Sequence, residues 1–169
     1  MIQSSTSEIR YLPIGTIYSP FKSPSGMPIQ TVSVNTTEGT VEILAEFEEA
    51  LQDLDGFSHI FLLYHFHLAK PFQPLVTPFI DKERRGLFAT RSPARPNAIG
   101  VSVVELLGIA DRILSIRGID VINATPLLDI KPYIPEFDMR SSCRIGWATD
   151  QVFHANSTCA DHRFLREEL

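Results

Sequence analysis

The segment from Gly86 to Gly100, GLFATRSPARPNAIG, restricts the local fold more than any other part of the chain. Pro93 and Pro96 each fix φ and remove a backbone donor, and each pushes the residue before it toward an extended conformation. The segment therefore cannot lie inside a helix, and it has too few apolar side chains for a buried strand. We predict a rigid loop that holds its polar side chains in fixed positions. Those side chains include Arg91, Arg95 and Asn97.

This loop is predicted to bind an anionic or nucleotide-like ligand, because the donor fork of arginine matches phosphate and carboxylate geometry. The formal net charge is −5, yet residues 82–95 carry five bases and one acid. A local basic patch on an acidic chain favours one defined nucleic-acid site over non-specific coating. The alternative for residues 82–85 is an ordinary solvated turn.

The rest of the chain shows many short β-branched and apolar runs separated by turn residues, which indicates a mainly β architecture with one or two short helices. A stripe at Leu44, Phe47, Leu51 and Leu54 predicts the one clear helix. Residues 131–135 contain too many prolines for the inside of a sheet. The predicted strands are 11–18, 57–68, 101–107, 113–116 and 127–130, and in the second of these Ile60, Leu62, Tyr64 and Phe66 share a face.

Several protein classes are excluded by missing patterns. No two glycines stand one residue apart, so the dinucleotide-binding fingerprint of a Rossmann fold is absent, and there is no P-loop lysine motif or nucleophile elbow. No apolar run is long enough to span a bilayer, and the first residues lack the features of a signal peptide. The two cysteines are too few for a disulfide scaffold, so we expect a cytoplasmic protein with no membrane partner.

Two sets of histidines and cysteines could bind a metal, but we expect no metal site. His59, His65 and His67 fall on one strand face without a nearby carboxylate or cysteine ligand, which favours polar residues that line a pocket or are hydrogen-bonded in a core. The set Cys143, His154, Cys159 and His162 has the spacing of no common zinc module.

A second informative segment runs from Asp120 to Tyr133. Residues 123–125 precede Pro126 and form a turn or extended corner, whose free backbone groups could read the edge of an adenine. Asp129 and Lys131 share one face of the following strand. They form either a surface ion pair of little energetic weight or part of a site.

Together, these segments resemble the TsaA-like, or TrmO, family of S-adenosylmethionine-dependent tRNA methyltransferases. The family signature G-x-F-A-T-R-S-x-x-R-P-N-x-I-G-x-S is matched from Gly86 to Ser102, and D-G-T-P-x-x-D-I-K-P-Y is matched by Thr125 to Tyr133. Weaker blocks agree at 14–21 and at 56–67. The chain departs from the family in two places: it has Asn123-Ala124 in place of Asp-Gly, and Ile29 in place of arginine.

The resemblance implies a small β-barrel-like domain over residues 1–138, with 139–169 as an extension packed on the domain or on a partner subunit. It also implies a homodimer with the pocket near the interface. S-adenosyl-L-methionine is the implied methyl donor, and the implied substrate is tRNA carrying N6-threonylcarbamoyladenosine at position 37, which gains an N6-methyl group. The residues implied to line the donor pocket are Pro28, Ile29, Gln30, His67, Leu68, Arg91, Val103, Ile122, Asn123, Ala124 and Thr125.

Chemistry at a carbamoylated N6 requires removal of its proton, because the nitrogen lone pair is delocalised. Asp129 is the predicted base, with Tyr133 second and Lys131 as a neighbouring catalytic group. The residues predicted to contact the RNA are Arg84, Arg85, Arg95 and Asn97. Two alternatives stay open: a methyltransferase that acts on another RNA or a small molecule, and a non-catalytic S-adenosylmethionine sensor.

Overall fold

Residues 8–23, 27, 36–151 and 159–165 are described by the computed structural model, and eight strands occur among them. The strands are β1 (Gly15–Tyr18), β2 (Glu38–Ile43), β3 (His59–His65), β4 (Leu75–Val76), β5 (Arg85–Gly86), β6 (Ile99–Ala110), β7 (Ile113–Arg117) and β8 (Thr125–Pro132). Six of them close an antiparallel barrel in the order β1-β2-β7-β6-β3-β8, and β4 pairs with β5 in a separate sheet. The predicted mainly β, barrel-like fold is confirmed.

The barrel is filled by alternate side chains of its strands, as period-two patterning requires. In β3, Ile60, Leu62 and Tyr64 are buried as predicted, whereas Phe61 and Leu63 lie on the outer face. The strand ends at His65, three residues before the predicted end at residue 68. The other fully buried side chains of the barrel are Ile17, Val41, Ile43, Val104, Leu114, Ile116, Ile119 and Leu127.

The predicted helix is replaced by two short 3₁₀ helices, Ala45–Leu51 and Leu54–Gly56. Asp53 has a left-handed φ of 63°, which breaks the run between them. Phe47, Leu51 and Leu54 pack against the barrel core as the stripe predicts, but Leu44 is 44% exposed. Further 3₁₀ turns lie at Leu87–Ala89, Gly146–Ala148 and His162–Phe164, and a single-turn helix α1 at Pro135–Asp138 was not predicted.

The expectation that Lys131 and Pro132 lie outside the sheet was wrong. Both belong to β8, where they pair with Phe61 and Ile60 of β3. The pairing of β8 with β1 covers only Thr125–Leu127. Pro132 therefore lies at a strand end where no second neighbour requires its missing N–H, which is a position that tolerates proline.

Among the described residues after 139, Trp147 and Phe164 contact earlier parts of the chain. Phe164 is buried with Val76, Leu87 and Ala94, and its ring meets Phe79 edge-on at 5.1 Å. The backbone N–H of Lys70 donates to the Phe164 carbonyl. Among the helices of the described residues, none has the length and apolar character needed to cross a membrane.

Candidate active site

A cavity of about 450 Å³ opens where β3 ends and where β6 and β8 begin. Two connecting segments supply facing walls: 90–95 precedes β6, and 120–125 leads into β8. These are parts of the two segments that the sequence analysis singled out, which lie about thirty residues apart in the chain. Antiparallel pairing of β3 with both β6 and β8 brings them to the same end of the barrel.

The 90–97 loop carries hydrogen bonds made by its own side chains. The Thr90 hydroxyl donates to the Leu87 carbonyl at 2.8 Å and accepts from the Ser92 N–H. The Arg95 guanidinium donates to the carbonyls of Thr90 and Ser92 at 3.0 and 3.4 Å. One predicted ligand-binding arginine therefore also fixes the loop, while its position still borders the cavity.

A chain of three polar side chains lies along the cavity wall. The Tyr64 hydroxyl is 3.0 Å from the Ser102 Oγ, which donates to the Asp120 carboxylate at 2.7 Å. Burial raises the pKa of Asp120 above its ordinary value, opposed by the Ser102 hydrogen bond and the charge of Arg91. Burial also raises the pKa of Tyr64, so this phenol remains a donor at neutral pH.

The close packing of Tyr64 depends on Gly100. A Cβ at this position would collide with the rings of Tyr64 and Phe66, which themselves meet edge-on at 5.3 Å. Gly100 pairs with Tyr64 in the β3–β6 ladder. The last glycine of the first motif is therefore required for the ring to lie flat over the strand.

The 122–125 corner is fixed by contacts to the segment that follows β1. The side-chain oxygen of Asn123 accepts from the Ser19 N–H at 3.1 Å. The backbone N–H of Asn123 donates to the Phe21 carbonyl. The Thr125 hydroxyl donates to the Ile122 carbonyl at 2.6 Å. Ala124 has a φ of 61°, a left-handed conformation that glycine adopts without strain.

The remaining lining residues are mostly apolar or aromatic, with Asp161 as an acidic member, and most come from three parts of the chain. Phe66, His67 and Leu68 follow β3, Pro78–Ile80 lie in the loop before β5, and residues 147–165 supply Trp147, Ala160, Asp161, Phe164 and Leu165. Desolvation lowers the pKa of His67, so its imidazole is neutral at physiological pH.

The predicted donor-pocket residues divide into three groups. His67, Leu68, Arg91, Ile122 and Thr125 line the cavity, with Asn123 and Ala124 in the same corner. Val103 lies in β6 opposite Phe61 on the outer face of the barrel and does not line the cavity. Pro28, Ile29 and Gln30 lie outside the described residues.

The predicted RNA-contacting arginines surround the same region. Arg95 lines the cavity, and Arg85 lies over the ring of Trp147, which lines it too. Arg84 and Asn97 are exposed neighbours that do not line the cavity.

The predicted catalytic residues lie elsewhere on the protomer. Asp129 and Lys131 form an ion pair at 2.7 Å and pair with Leu63 and Phe61 on the outer face. Asp129 follows Thr125 by four strand residues, about 13 Å at 3.3 Å per residue. Tyr133 packs edge-on against Phe61 at 5.5 Å. A single protomer therefore does not bring these three groups to the cavity.

Tyr64 and Asp120 were not named as site residues by the sequence analysis, nor was Ser102. Ser102 is the last residue of the first motif, and Asp120 is the first residue of the second segment. These positions at the ends of the two segments were the sequence signal that could have marked Ser102 and Asp120 as site residues. Within the described residues, no group of three or more histidine, cysteine, aspartate or glutamate side chains could hold a metal ion.

The structure is a closed barrel with a cavity at one end. The cavity combines a buried carboxylate, guanidinium groups and aromatic walls, which suits a charged, nucleotide-like ligand. The family model of the tRNA-methyltransferase O N-terminal domain matches residues 16–139. The chain belongs to this family.

Three similar proteins span archaea and bacteria. A probable S-adenosyl-L-methionine-binding protein of Pyrococcus abyssi is 53% identical over 157 residues, 93% of this chain and 85% of its own length. The tRNA (adenine(37)-N6)-methyltransferase of Escherichia coli is 36% identical over 139 residues, 76% of this chain and 59% of its own length. The crystal structure of TrmO from Pseudomonas aeruginosa matches with a TM-score of 0.72 at 39% identity, over 84% of this chain. This chain spans 63% of that solved chain.

Proposed function

We propose that this chain is an S-adenosyl-L-methionine-dependent methyltransferase that methylates N6 of N6-threonylcarbamoyladenosine at position 37 of tRNA. The observation that carries the proposal is the meeting of the two informative sequence segments at one cavity, with Thr90–Arg95 on one wall and Asp120–Thr125 on another. The cytoplasm is the proposed location, and the two cysteines, Cys143 and Cys159, are unpaired thiols as that compartment favours.

The residues of the cavity fit the methyl donor. A volume of about 450 Å³ lies in the range of small-molecule sites. The Asp120 carboxylate offers a negative charge to a sulfonium, Arg91 offers a guanidinium to a carboxylate, and Phe66 and Ile122 offer apolar surface to an adenine. The neutral imidazole of His67 adds no positive charge beside a cation. When bound, the donor supplies a methyl group activated by its sulfonium sulfur.

The chain's own groups must orient the acceptor and remove a proton. Asp120, held by Ser102, anchors the donor side of the site. Asp129 accepts the N6 proton of the acceptor, and the Lys131 ammonium lies 2.7 Å from that carboxylate. With that proton removed, the nitrogen lone pair would be available to accept the methyl group, and the electrons of the broken S–C bond would remain on the donor sulfur.

A homodimer joins these separated groups. The outer face of β3, β6 and β8 carries Phe61, Leu63 and Val103 beside the Asp129–Lys131 pair. Burial of this apolar face against a second copy would be favourable. One protomer then supplies the outer-face carboxylate and its partner supplies the cavity.

Nucleoside mass spectrometry of tRNA incubated with the purified protein and S-adenosyl-L-methionine tests the proposal. The tRNA is taken from cells that lack the corresponding activity. We expect N6-methyl-N6-threonylcarbamoyladenosine to appear, and Asp129→Asn to reduce its rate about 100-fold or more while donor binding persists. Full turnover by Asp129→Asn would remove this residue as the base. A methylated product other than this nucleoside would redirect the substrate assignment.

A second candidate function is binding of S-adenosyl-L-methionine without transfer. It is favoured by the name of the Pyrococcus relative, which refers to binding alone. This candidate predicts tight donor binding by calorimetry, no methylated product, and no effect of Asp129→Asn or Lys131→Ala on affinity.

A further inference from the structure

Two aromatic rings lie at the single-turn 3₁₀ helix Leu87–Ala89 beside the cavity. Leu87 is buried, but the next residue of the helix, Phe88, is 78% exposed. The indole N–H of Trp147 donates to the Ala89 carbonyl at 2.8 Å. Phe88 is absent from both buried clusters of the described residues, so packing does not account for a phenyl ring at this position.

Each ring carries an arginine over its face. The guanidinium carbon of Arg95 lies 5.7 Å from the Phe88 ring centre, and that of Arg85 lies 5.6 Å from the Trp147 ring centre. Both distances are within the range of cation–π contact.

Both arginines are held in place by other groups. Arg95 donates to two carbonyls of its own loop, and Arg85 is paired with Asp81 at 2.7 Å. The aromatic and cationic groups are therefore ordered before any ligand binds, which reduces the entropy lost on binding.

This cluster lies at the mouth of the cavity. Trp147 and Arg95 line the cavity, whereas Phe88 lies outside its lining. A nucleotide inserted in the cavity would thus have its neighbours in the strand near Trp147 and Phe88. Flat π surfaces beside guanidinium groups suit unpaired bases joined by phosphates, because bases stack on aromatic side chains and phosphates bind arginine.

The geometry points to Phe88 and Trp147 as a stacking platform for unpaired bases that flank the acceptor adenosine of the RNA. This inference rests on the proposed function and deepens it, since it assigns how the RNA loop is held. Phe88 and Trp147 are RNA-positioning residues, with Arg95 and Arg85 supporting their rings.

Tryptophan fluorescence tests the platform directly, because Trp147 is the single tryptophan of the chain. The probe is an anticodon stem-loop RNA, because its unpaired loop presents bases that can stack on aromatic side chains. It is titrated into the full chain in the presence of saturating S-adenosyl-L-homocysteine. We expect RNA to quench the Trp147 emission. Anisotropy of labelled RNA should show about 5-fold to 100-fold weaker binding by Phe88→Ala.

Variants with related side chains separate stacking from other effects. Phe88→Tyr keeps the aromatic face and should restore binding, whereas Phe88→Leu keeps apolar bulk and should not. Phe137→Ala is the matched control, since Phe137 is 67% exposed on α1 and lies outside the cavity lining. With tRNA as substrate, Phe88→Ala should raise KM for RNA and leave the affinity for S-adenosyl-L-homocysteine unchanged.

Unchanged RNA affinity in Phe88→Ala would overturn the platform. Trp147 emission that does not change when RNA is added to the complex with S-adenosyl-L-homocysteine would also overturn it. Methyl transfer by the wild-type chain is measured in parallel. Transfer without any Phe88 effect overturns only this inference. Absence of both transfer and RNA binding overturns the proposed function together with it.

Discussion

Asp120 is the residue at which folding and ligand binding oppose each other most directly. Its carboxylate is desolvated beside the cavity, and Ser102 and Arg91 offset that penalty only in part, since the pKa remains raised. A buried charge of this kind is typical of a functional site, because it becomes fully compensated only when a ligand of opposite charge binds.

We expect Asp120→Asn to stabilise the fold at neutral pH by about 0.5–2 kcal/mol while weakening donor binding. With the folded-state pKa raised above the unfolded value, the contribution of Asp120 to stability is most favourable below about pH 4 and declines as pH rises through the folded pKa. The amide is free of this penalty, so the stability difference should grow from pH 4 to pH 8. Urea unfolding across that range measures it. A variant no more stable than wild type at pH 8 would contradict the argument.

Ala124 stands where the family motif has glycine. Its φ of 61° gives this departure a measurable consequence. Alanine is strained in this region, so Ala124→Gly should stabilise the protein by up to about 1 kcal/mol despite the greater entropy of its unfolded chain. The side chain is exposed, so little packing is lost. Ala110→Gly, on the exposed end of β6, is the matched control and should destabilise. Thermal unfolding of both variants decides the sign.

Among the elements, β6 matters most for the site, because it carries Gly100 and Ser102 on its inward face within three residues. Gly100→Ala should cost about 1–3 kcal/mol of unfolding free energy, since two aromatic rings must move. Displacement of Tyr64 should also weaken binding of S-adenosyl-L-homocysteine in calorimetry. Gly108→Ala, on the same strand with no atom near the added methyl, is the control. Equal stability of the two variants would show that the Tyr64 ring adjusts freely.

The sequence predicted the strands more accurately than it predicted which residues of different strands come into contact. Period-two patterning located β3, β6, β7 and β8 because most of their inward residues are apolar. The stripe at Phe47 and Leu51 was recognised, but not that it would form short 3₁₀ turns, because barrel packing outweighs local propensity there. The Tyr64–Ser102–Asp120 chain could not be derived, since it depends on a strand register that no local pattern encodes.

At the scale of the whole molecule, the separation of Asp129 from the cavity is the feature that a second copy would resolve. Asp129 and Lys131 face outward with Leu63 and Phe61, while Asp120 lies at the cavity. If a homodimer joins the two sets, each active site contains residues of both protomers. Such a shared site has a kinetic signature that a site within one protomer lacks.

We expect mixtures of two inactive variants, Asp120→Asn and Asp129→Asn, to recover activity. After equal mixing and subunit exchange, half of the dimers carry one copy of each variant, and one of their two sites is intact, so about a quarter of wild-type methyl transfer should return. Leu63→Asp, which places a charge on the outer face, should shift sedimentation toward the monomer and abolish the recovery. Ile113→Asp, also at an exposed apolar strand position but on β7, should do neither. Failure to recover any activity from mixed dimers would contradict a site shared between two protomers.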